Sequence, residues 1–493
     1  MNSTCLTIKD IIDSTKGELI TSIPFDKNLH GKASIYAEQI SNGDIYIAIN
    51  SKKYDSSDGC LGFTNNEDSV FGFGGTKDGH DDINLAIQNG AVTIIVDNKE
   101  KISDYKDINL ILVNDSLNAL CELSKCFLSK CNVKTIAITG SVGKTSTANC
   151  LYDFLSKKYK VLKSEYIRST VLGITMEVLS KISNCCDYYI IELQSDCAGQ
   201  IDKLCKSVKI DYAIITEIAY SHLAKFENIE NILIEKTTTY NYLESSGKIF
   251  INGNNSELYK WYNKNKTDNR IVIVGNINSF DYYLDNDDQF HIKSLVKKGE
   301  KAIGQLIANK EIHIMPQLLC ISFFEFVSKN EITINEINNI TKSIHPILLR
   351  YNSFLGKSNC KVVLDSYNAS YLSMLHGINK VCKNSQHKGI ILILGSMLEL
   401  DNKAEEFHRA IAKEIQKHKN ITNIFLLGES MLYTYFELKK SLVSAEIIHS
   451  FSYETIIKEL LKVSLNKNTV VYIKGSGSMR MELIAPYVLA IME

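Results

Sequence analysis

The sequence predicts an α/β fold in three domains: a small α/β N-terminal domain, a central P-loop-type domain with a mostly parallel sheet, and a Rossmann-like C-terminal domain. Three observations predict it. Short β-branched runs alternate with segments of helical apolar spacing along the whole chain, which is the pattern of βαβ units. At 493 residues the chain exceeds the size at which one core keeps growing. One strand-like run ends in a glycine-rich loop that opens a helix. The expected domains are residues 1–105, 106–344 and 345–493.

In the first domain, the strand-like runs Ile45 to Ile49 and Val92 to Val96 flank the helix-like Asp82 to Asn89. Ser51 to Gly79, rich in Gly, Asp, Asn and Ser, reads as a long surface loop, either ligand-binding or a solvated insertion. Leu117 to Leu128 repeats apolar residues at helical spacing and delivers the chain to the central domain. There the run Ile136 to Ile138 is a buried strand, Thr147 to Phe154 a helix, and Tyr188 to Ile191, Tyr212 to Ile215 and Lys248 to Ile251 further strands. Thr333 to Ser343 reads as a helix that ends before His345-Pro346, because the residue before proline resists helix. The third domain repeats the alternation, with strands at Val362 to Leu364, Gly389 to Leu394, Ile424 to Leu427 and Val470 to Ile473.

Bulk properties exclude several function classes. Lys+Arg 55 against Asp+Glu 56 leaves a formal charge of -1 and no global field to attract nucleic acid or an anionic membrane. The thirteen cysteines lack a CxxC pair or zinc-finger spacing and read as reduced, mostly buried thiols of a cytosolic protein. The N-terminus lacks a basic-then-apolar signal, and no apolar run reaches about 18 residues. A cytoplasmic protein acting on small molecules, without nucleic-acid or membrane partners, is expected.

The loop Gly140-Ser141-Val142-Gly143-Lys144-Thr145-Ser146 joins a strand to a helix. There, free N–H groups and the helix dipole favour phosphate, glycine permits close backbone approach, Lys144 adds a point charge and Thr145 can hold Mg²⁺. A full Walker A motif would place glycine at 138, where Ile stands. The bland alternative is a tight glycine turn with an exposed lysine. Glu192 falls at the C-terminal end of a predicted strand, the edge where open α/β sheets bind ligands, and a carboxylate there suits Mg²⁺. His222 lies just past another strand and Lys236 follows at plus fourteen. Alone, such a histidine is more often a surface residue, and such a lysine is solvated.

As a set, Gly140 to Ser146, Glu192, His222, Lys236 and Lys248-Ile-Phe-Ile-Asn252-Gly-Asn-Asn255 resemble the central domain of the Mur ligases. Arg350, Asp365-Ser-Tyr367-Asn368-Ala369, Ser373-Met374, Leu394-Gly-Ser396-Met397-Leu-Glu399-Leu400, His408 and Lys474-Gly-Ser476 resemble the C-terminal domain of the branch that adds D-alanyl-D-alanine to UDP-N-acetylmuramoyl-tripeptide. Gly43-Asp-Ile-Tyr-Ile-Ala48 and Asp78-Gly-His80 resemble its N-terminal UDP-sugar domain. The resemblance implies an ATP-dependent, ADP-forming peptide ligase of cell-wall synthesis that works through an acyl phosphate. It implies that Lys144 and the loop hold the nucleotide phosphates, that Thr145 and Glu192 serve one Mg²⁺, and that His222 approaches a second. Lys236 matches a lysine carbamylated by CO₂ to support that second ion. Asn252, Arg350, Asp365, Tyr367 and Asn368 are implied at the nucleotide, and Ser169, Thr170, Ser396, Met397, Glu399 and Lys474 at the substrates. Partners are then a small-molecule carboxylate and amine, and the expected state is a monomer.

Several positions depart from that branch. Tyr36-Ala-Glu38 stands where Asp-Ser-Arg contacts the UDP-sugar, and Ser169-Thr170 stands where an Asn-Asn pair precedes Ile-Gly. A doubled Asp is reduced to Leu364-Asp365, a proline is replaced in Ser370-Tyr371, and Leu-Gly-Asp-Met reads Leu-Gly-Ser396-Met. Taken singly each departure reads as drift; clustered at the donor and acceptor sites, they leave room for the same chemistry on a different carboxylate and amine in a specialised pathway. An alternative of another class is a non-catalytic binding protein with this fold.

Overall fold

The computed structural model describes residues 6–21, 31–54, 59–62, 78–103, 105, 107–165, 169–182, 186–285, 293–307, 314–329, 332–344, 348–383, 389–398, 400–441 and 444–490. Three sheets, mostly parallel, form the three-domain α/β architecture that the alternation predicts.

The first sheet holds β1 (Glu18–Thr21), β2 (Ala33–Ser34), β3 (Ile45–Ile47), β4 (Thr93–Val96) and β5 (Asn109–Leu112), in the order β1-β5-β4-β3-β2. All neighbours are parallel except β1 against β5. Because β5 belongs to this sheet, the expected boundary at residue 105 is one strand too early. The run after Ile108 is as apolar as a central strand, and a sequence window cannot say which sheet it joins. Helices α1 (Ile8–Thr15) and α2 (Ile83–Gln88) cover the sheet. Most of the Ser51 to Gly79 loop lies outside the described residues.

The long helix α3 (Ser116–Cys131) leads into the central domain, N-capped by the Asp115 side chain. The central sheet comprises β6 (Lys134–Thr139), β7 (Val161–Lys163), β8 (Tyr188–Glu192), β9 (Ile210–Ile215), β10 (Leu243–Asn252), β11 (Ile271–Gly275), β12 (Tyr282–Asp285), β13 (Lys293–Lys298) and β14 (Lys301–Ile307). Its order is β14-β13-β12-β11-β10-β9-β6-β8-β7, parallel from β7 to β12 and antiparallel beyond. The antiparallel extension had no clear signal in sequence, since its Lys-rich strands look like solvated chain. Central strands are apolar on both faces: Ile136 and Ile138 enter one core, Ala137 the other. Helices α4 (Lys144–Leu155), α5 (Val171–Lys181), α6 (Gln200–Ser207), α7 (Leu223–Phe226), α8 (Ile229–Thr237), α9 (Ser256–Asn265), α10 (Ile314–Val327) and α11 (Ile334–Ser343) cover both faces. The residues at the expected break, His345 and Pro346, lie outside the described residues.

The third sheet begins at β15 (Asn352–Leu355) and continues through β16 (Lys361–Asp365), β17 (Gly389–Gly395), β18 (Ile421–Leu427), β19 (Glu446–Ser450) and β20 (Thr469–Lys474). Its order is β15-β16-β20-β17-β18-β19, with only β15 antiparallel. Helices α12 (Tyr371–Lys383), α13 (Ala404–Ile415), α14 (Met431–Lys439) and α15 (Tyr453–Leu460) complete it.

What the fold does for function is local to β6. Its neighbours β8 and β9 lie on opposite sides, so the chain changes direction there and a crevice opens beyond the carboxyl ends of the three strands.

Candidate active site

The loop after β6 is shaped by two glycines. Gly140 has φ +137°, and a Cβ on it would meet Thr216 Oγ1 at 2.2 Å. Gly143, at φ 91°, ends the loop in the left-handed region, and α4 starts at Lys144, three residues before the expected Thr147. The first-turn N–H groups of α4 are therefore part of the loop. Neighbouring strands hold the loop in place. Ser141 N donates to Glu217 O (2.7 Å), Ser141 Oγ donates to Ala219 O (2.9 Å) and Thr216 Oγ1 donates to Val142 O (2.6 Å). Lys144 curls back, its Nζ donating to Gly140 O at 2.7 Å.

Glu192 closes β8 in register with Ile138 of β6. Its carboxylate accepts from Thr145 Oγ1 at 2.9 Å and is 3% exposed. Burial pushes its carboxyl up in pKa, opposed by the Thr145 hydrogen bond and by the charges of Lys144, Lys163 and Arg350. A buried carboxylate beside a hydroxyl at a phosphate loop fits Mg²⁺. Among the described residues no group of three or more His, Cys, Asp or Glu could enclose an ion.

Lys236, on α8, is 1% exposed, contrary to the usual fate of a helix lysine. Its Nζ donates to Ser195 O (3.0 Å) and Ser195 Oγ (2.5 Å), both neutral acceptors. Burial, with the like charge of Lys144, brings its pKa down from 10.5 to about 7. The adjoining Glu235 accepts from Gly199 N and Ile201 N (2.7 Å each), fixing the start of α6 and the strand-end segment that carries Ser195. His222 adopts a left-handed conformation, φ 50°, at the start of α7.

A cavity of about 420 Å³ joins these elements. Ser141 to Thr145, Ser169, Thr170, Ser195 and His222 form its central-domain wall, and Arg350, Tyr367 and Asn368 reach in from the third domain. The Arg350 guanidinium lies 4.0 Å from the centroid of the Tyr367 ring. A second cavity of about 240 Å³ lies between Ser146, Glu217, Met315 and Pro316 on one side and Arg350, Asp365, His376 and Lys474 on the other. Asp365 and Lys474 form a buried pair there, Nζ to Oδ2 2.8 Å, and Tyr472 donates to the same oxygen.

Other expected site residues sit differently. Asn252 lines neither of these cavities; its Nδ2 donates to Glu217 Oε2 at 2.7 Å, and Asn255 donates to Glu217 Oε1 at 2.6 Å. Glu217, which sequence reasoning passed over, is the residue at the wall, and burial pushes its carboxyl up. Its only signal was its position just past β9. Met397 is buried and its N–H donates to His408 Nε2 (3.1 Å), so Nδ1 carries the ring proton and donates to Ala404 O (2.7 Å). Ser396 is buried, and its hydroxyl has no hydrogen-bond partner among the described residues. Glu399 lies outside the described residues.

The family model described as Mur ligase middle domain matches residues 138–313, and that described as Mur ligase, glutamate ligase domain matches 350–477. The UDP-N-acetylmuramoyl-tripeptide--D-alanyl-D-alanine ligase of Rickettsia prowazekii is 28% identical over 422 residues, covering 84% of this chain and 90% of that one. MurF from Acinetobacter baumannii has a similar structure, with a TM-score of 0.74 at 17% identity over 99% of both chains. MurF ligase from Thermotoga maritima in complex with ADP gives a TM-score of 0.67 at 20% identity, covering 93% and 97%.

Proposed function

Because the chain belongs to the Mur ligase family, we propose that it is an ATP-dependent, ADP-forming peptide ligase that adds D-alanyl-D-alanine to UDP-N-acetylmuramoyl-tripeptide in peptidoglycan precursor synthesis. The observation that carries the chemistry is convergence. The loop Ser141 to Thr145, His222 and the Arg350–Tyr367 stack line one cavity, with Glu192 behind Thr145 and Lys236 behind Ser195.

Lys144 and the loop N–H groups hold the β- and γ-phosphates of ATP, and Arg350 brings positive charge from the third domain. An oxygen of the substrate carboxylate attacks the γ-phosphorus and ADP leaves, giving an acyl phosphate. The amine then attacks the acyl carbon, phosphate departs, the nitrogen loses a proton, and an amide remains. Thr145 and Glu192 would hold one Mg²⁺, and His222 with a carbamate on Lys236 would support a second; the ions supply neutralisation of phosphate charge. Lys236 suits the carbamate because only the neutral amine combines with CO₂. The chain works on small molecules in the cytoplasm, as a monomer.

A second reading keeps ligation but changes the substrates. Glu38 is exposed where a basic residue would face the UDP-sugar, and the Thr170 hydroxyl caps α5 by accepting from Gly173 N at 3.0 Å. The test is to incubate the protein with ATP, Mg²⁺, UDP-N-acetylmuramoyl-tripeptide and D-alanyl-D-alanine and to seek the pentapeptide by mass spectrometry. Phosphate release that needs another carboxylate–amine pair would favour the second reading; turnover indifferent to both would exclude ligation.

A further inference from the structure

Tyr371 opens α12, where proline would be well placed because its φ is preset and its missing N–H has no helical partner to lose. A tyrosine there does something else. Its ring stacks on Phe407 of α13, with centroids 4.7 Å apart and planes at 22°. Phe407 is 5% exposed and in turn meets Tyr220 of the central domain, with centroids 5.1 Å apart at 45°. Three rings thus run from the third domain into the loop after β9.

The central-domain end of this stack is tied to the site. Tyr220 lines the larger cavity and follows Ala219, whose carbonyl accepts from Ser141 Oγ and whose N–H donates to the same oxygen at 3.1 Å. Ser221 and His222 come next, also on the cavity wall. At the other end, Tyr371 directly follows the Tyr367 to Ser370 wall segment. The contact is continued by α7 resting against the turn Asp401–Lys403.

We propose that Tyr220, Phe407 and Tyr371 form an aromatic latch that holds the third domain over the phosphate loop, and that they act as positioning residues for the ligation described above, on which this inference rests. Opening would part Tyr220 from Phe407 and wet a ring that is otherwise buried. An aromatic pair of this geometry shifts the closed-to-open ratio roughly threefold to tenfold. The consequence is chemical. In an open cavity water competes with the amine for the acyl carbon, releasing phosphate and regenerating the carboxylate without an amide.

The test uses the full chain as wild type, Tyr220→Phe, Tyr220→Ala and Tyr371→Pro, the last removing a ring at a helix position that accepts proline. Small-angle scattering with Mg²⁺ and β,γ-imido-ATP needs no acceptor substrate. Wild type and Tyr220→Phe should be equally compact, while Tyr220→Ala and Tyr371→Pro should show a larger radius of gyration. With UDP-N-acetylmuramoyl-tripeptide and D-alanyl-D-alanine, phosphate released per amide formed should stay near one for wild type and Tyr220→Phe and rise roughly threefold or more in the other two. Unchanged scattering and stoichiometry in Tyr220→Ala, or in Tyr371→Pro should Tyr220→Ala fail to fold, would overturn the latch. A wild type that forms no pentapeptide overturns the substrate assignment instead, and the scattering still decides the latch.

Discussion

Replacing Lys236 by alanine is the most incisive perturbation of the site. Lys236 is 1% exposed, its amine donates to the carbonyl and hydroxyl of Ser195 and lies 5.7 Å from the centroid of the Phe226 ring, and burial brings its pKa to about 7 from 10.5. At pH 7 about half of it is neutral, against roughly one part in 3,000 for an ordinary lysine. That difference sets how readily it takes CO₂, since the lone pair forms the N–C bond and a proton is lost. In ¹³C-bicarbonate the protein should show one carbamate resonance that Lys236→Ala lacks. Turnover of the variant should fall by about 10²–10³-fold and recover in part with added short-chain carboxylates. Wild-type turnover should decline as pH falls through about 7. Stability responds with its own sign. Between pH 7 and 10.5 the unfolded chain binds more protons at this site, so folding is favoured as pH rises through that window, and below it the buried charge costs the full amount. Lys236→Met should therefore raise Tm more at pH 6 than at pH 10. Wild-type turnover in Lys236→Ala, or a carbamate signal that survives the substitution, would refute the reasoning.

Glu192→Gln should leave the fold intact, lower turnover by about 100-fold and raise the Mg²⁺ concentration for half-maximal rate; an unchanged Mg²⁺ titration would count against the role of Glu192. Lys474→Met strands the buried Asp365 carboxylate and should destabilise the chain by about 3–5 kcal/mol in urea unfolding, with Asp365→Asn added to it recovering part of the loss. His408 is held neutral by burial, with a pKa of about 4 against 6.5 unfolded. The unfolded state binds more protons between those values, so stability should fall by up to about 3 kcal/mol as pH drops from 6.5 to 4, and less in His408→Gln, as a melting series in pH would show.

The strand–glycine loop–helix unit at residues 134–155 and the place of Glu192 at the end of β8 were legible in the chain itself. Both sit at strand ends, where a few neighbouring residues define strand, turn and helix, and the carboxyl edge of a parallel sheet is already known as the binding edge. Less was legible where a side chain's meaning depends on a distant partner. Asn252 reads as a ligand contact, and the sequence does not show that its amide donates to Glu217, 35 residues away, which lines the smaller cavity. The boundary at residue 105 missed β5 because an apolar run does not declare which sheet receives it. The replacement of proline by Tyr371 reads as drift until its ring is found against Phe407.

By itself the sequence determined the succession of βαβ units, the place of the Gly140–Gly143 loop at the head of a helix, and the chemical kinds of group gathered at the strand ends, because periodicity and turn chemistry act over a few residues. Only the tertiary structure decided that Lys236 is buried against Ser195, 41 positions away, that Asp365 is paired with Lys474 across 109, and that Tyr220 meets the third domain. Burial is what decides whether a lysine is a solvated cation or an amine poised near neutrality, and burial depends on which surfaces the folded chain brings together.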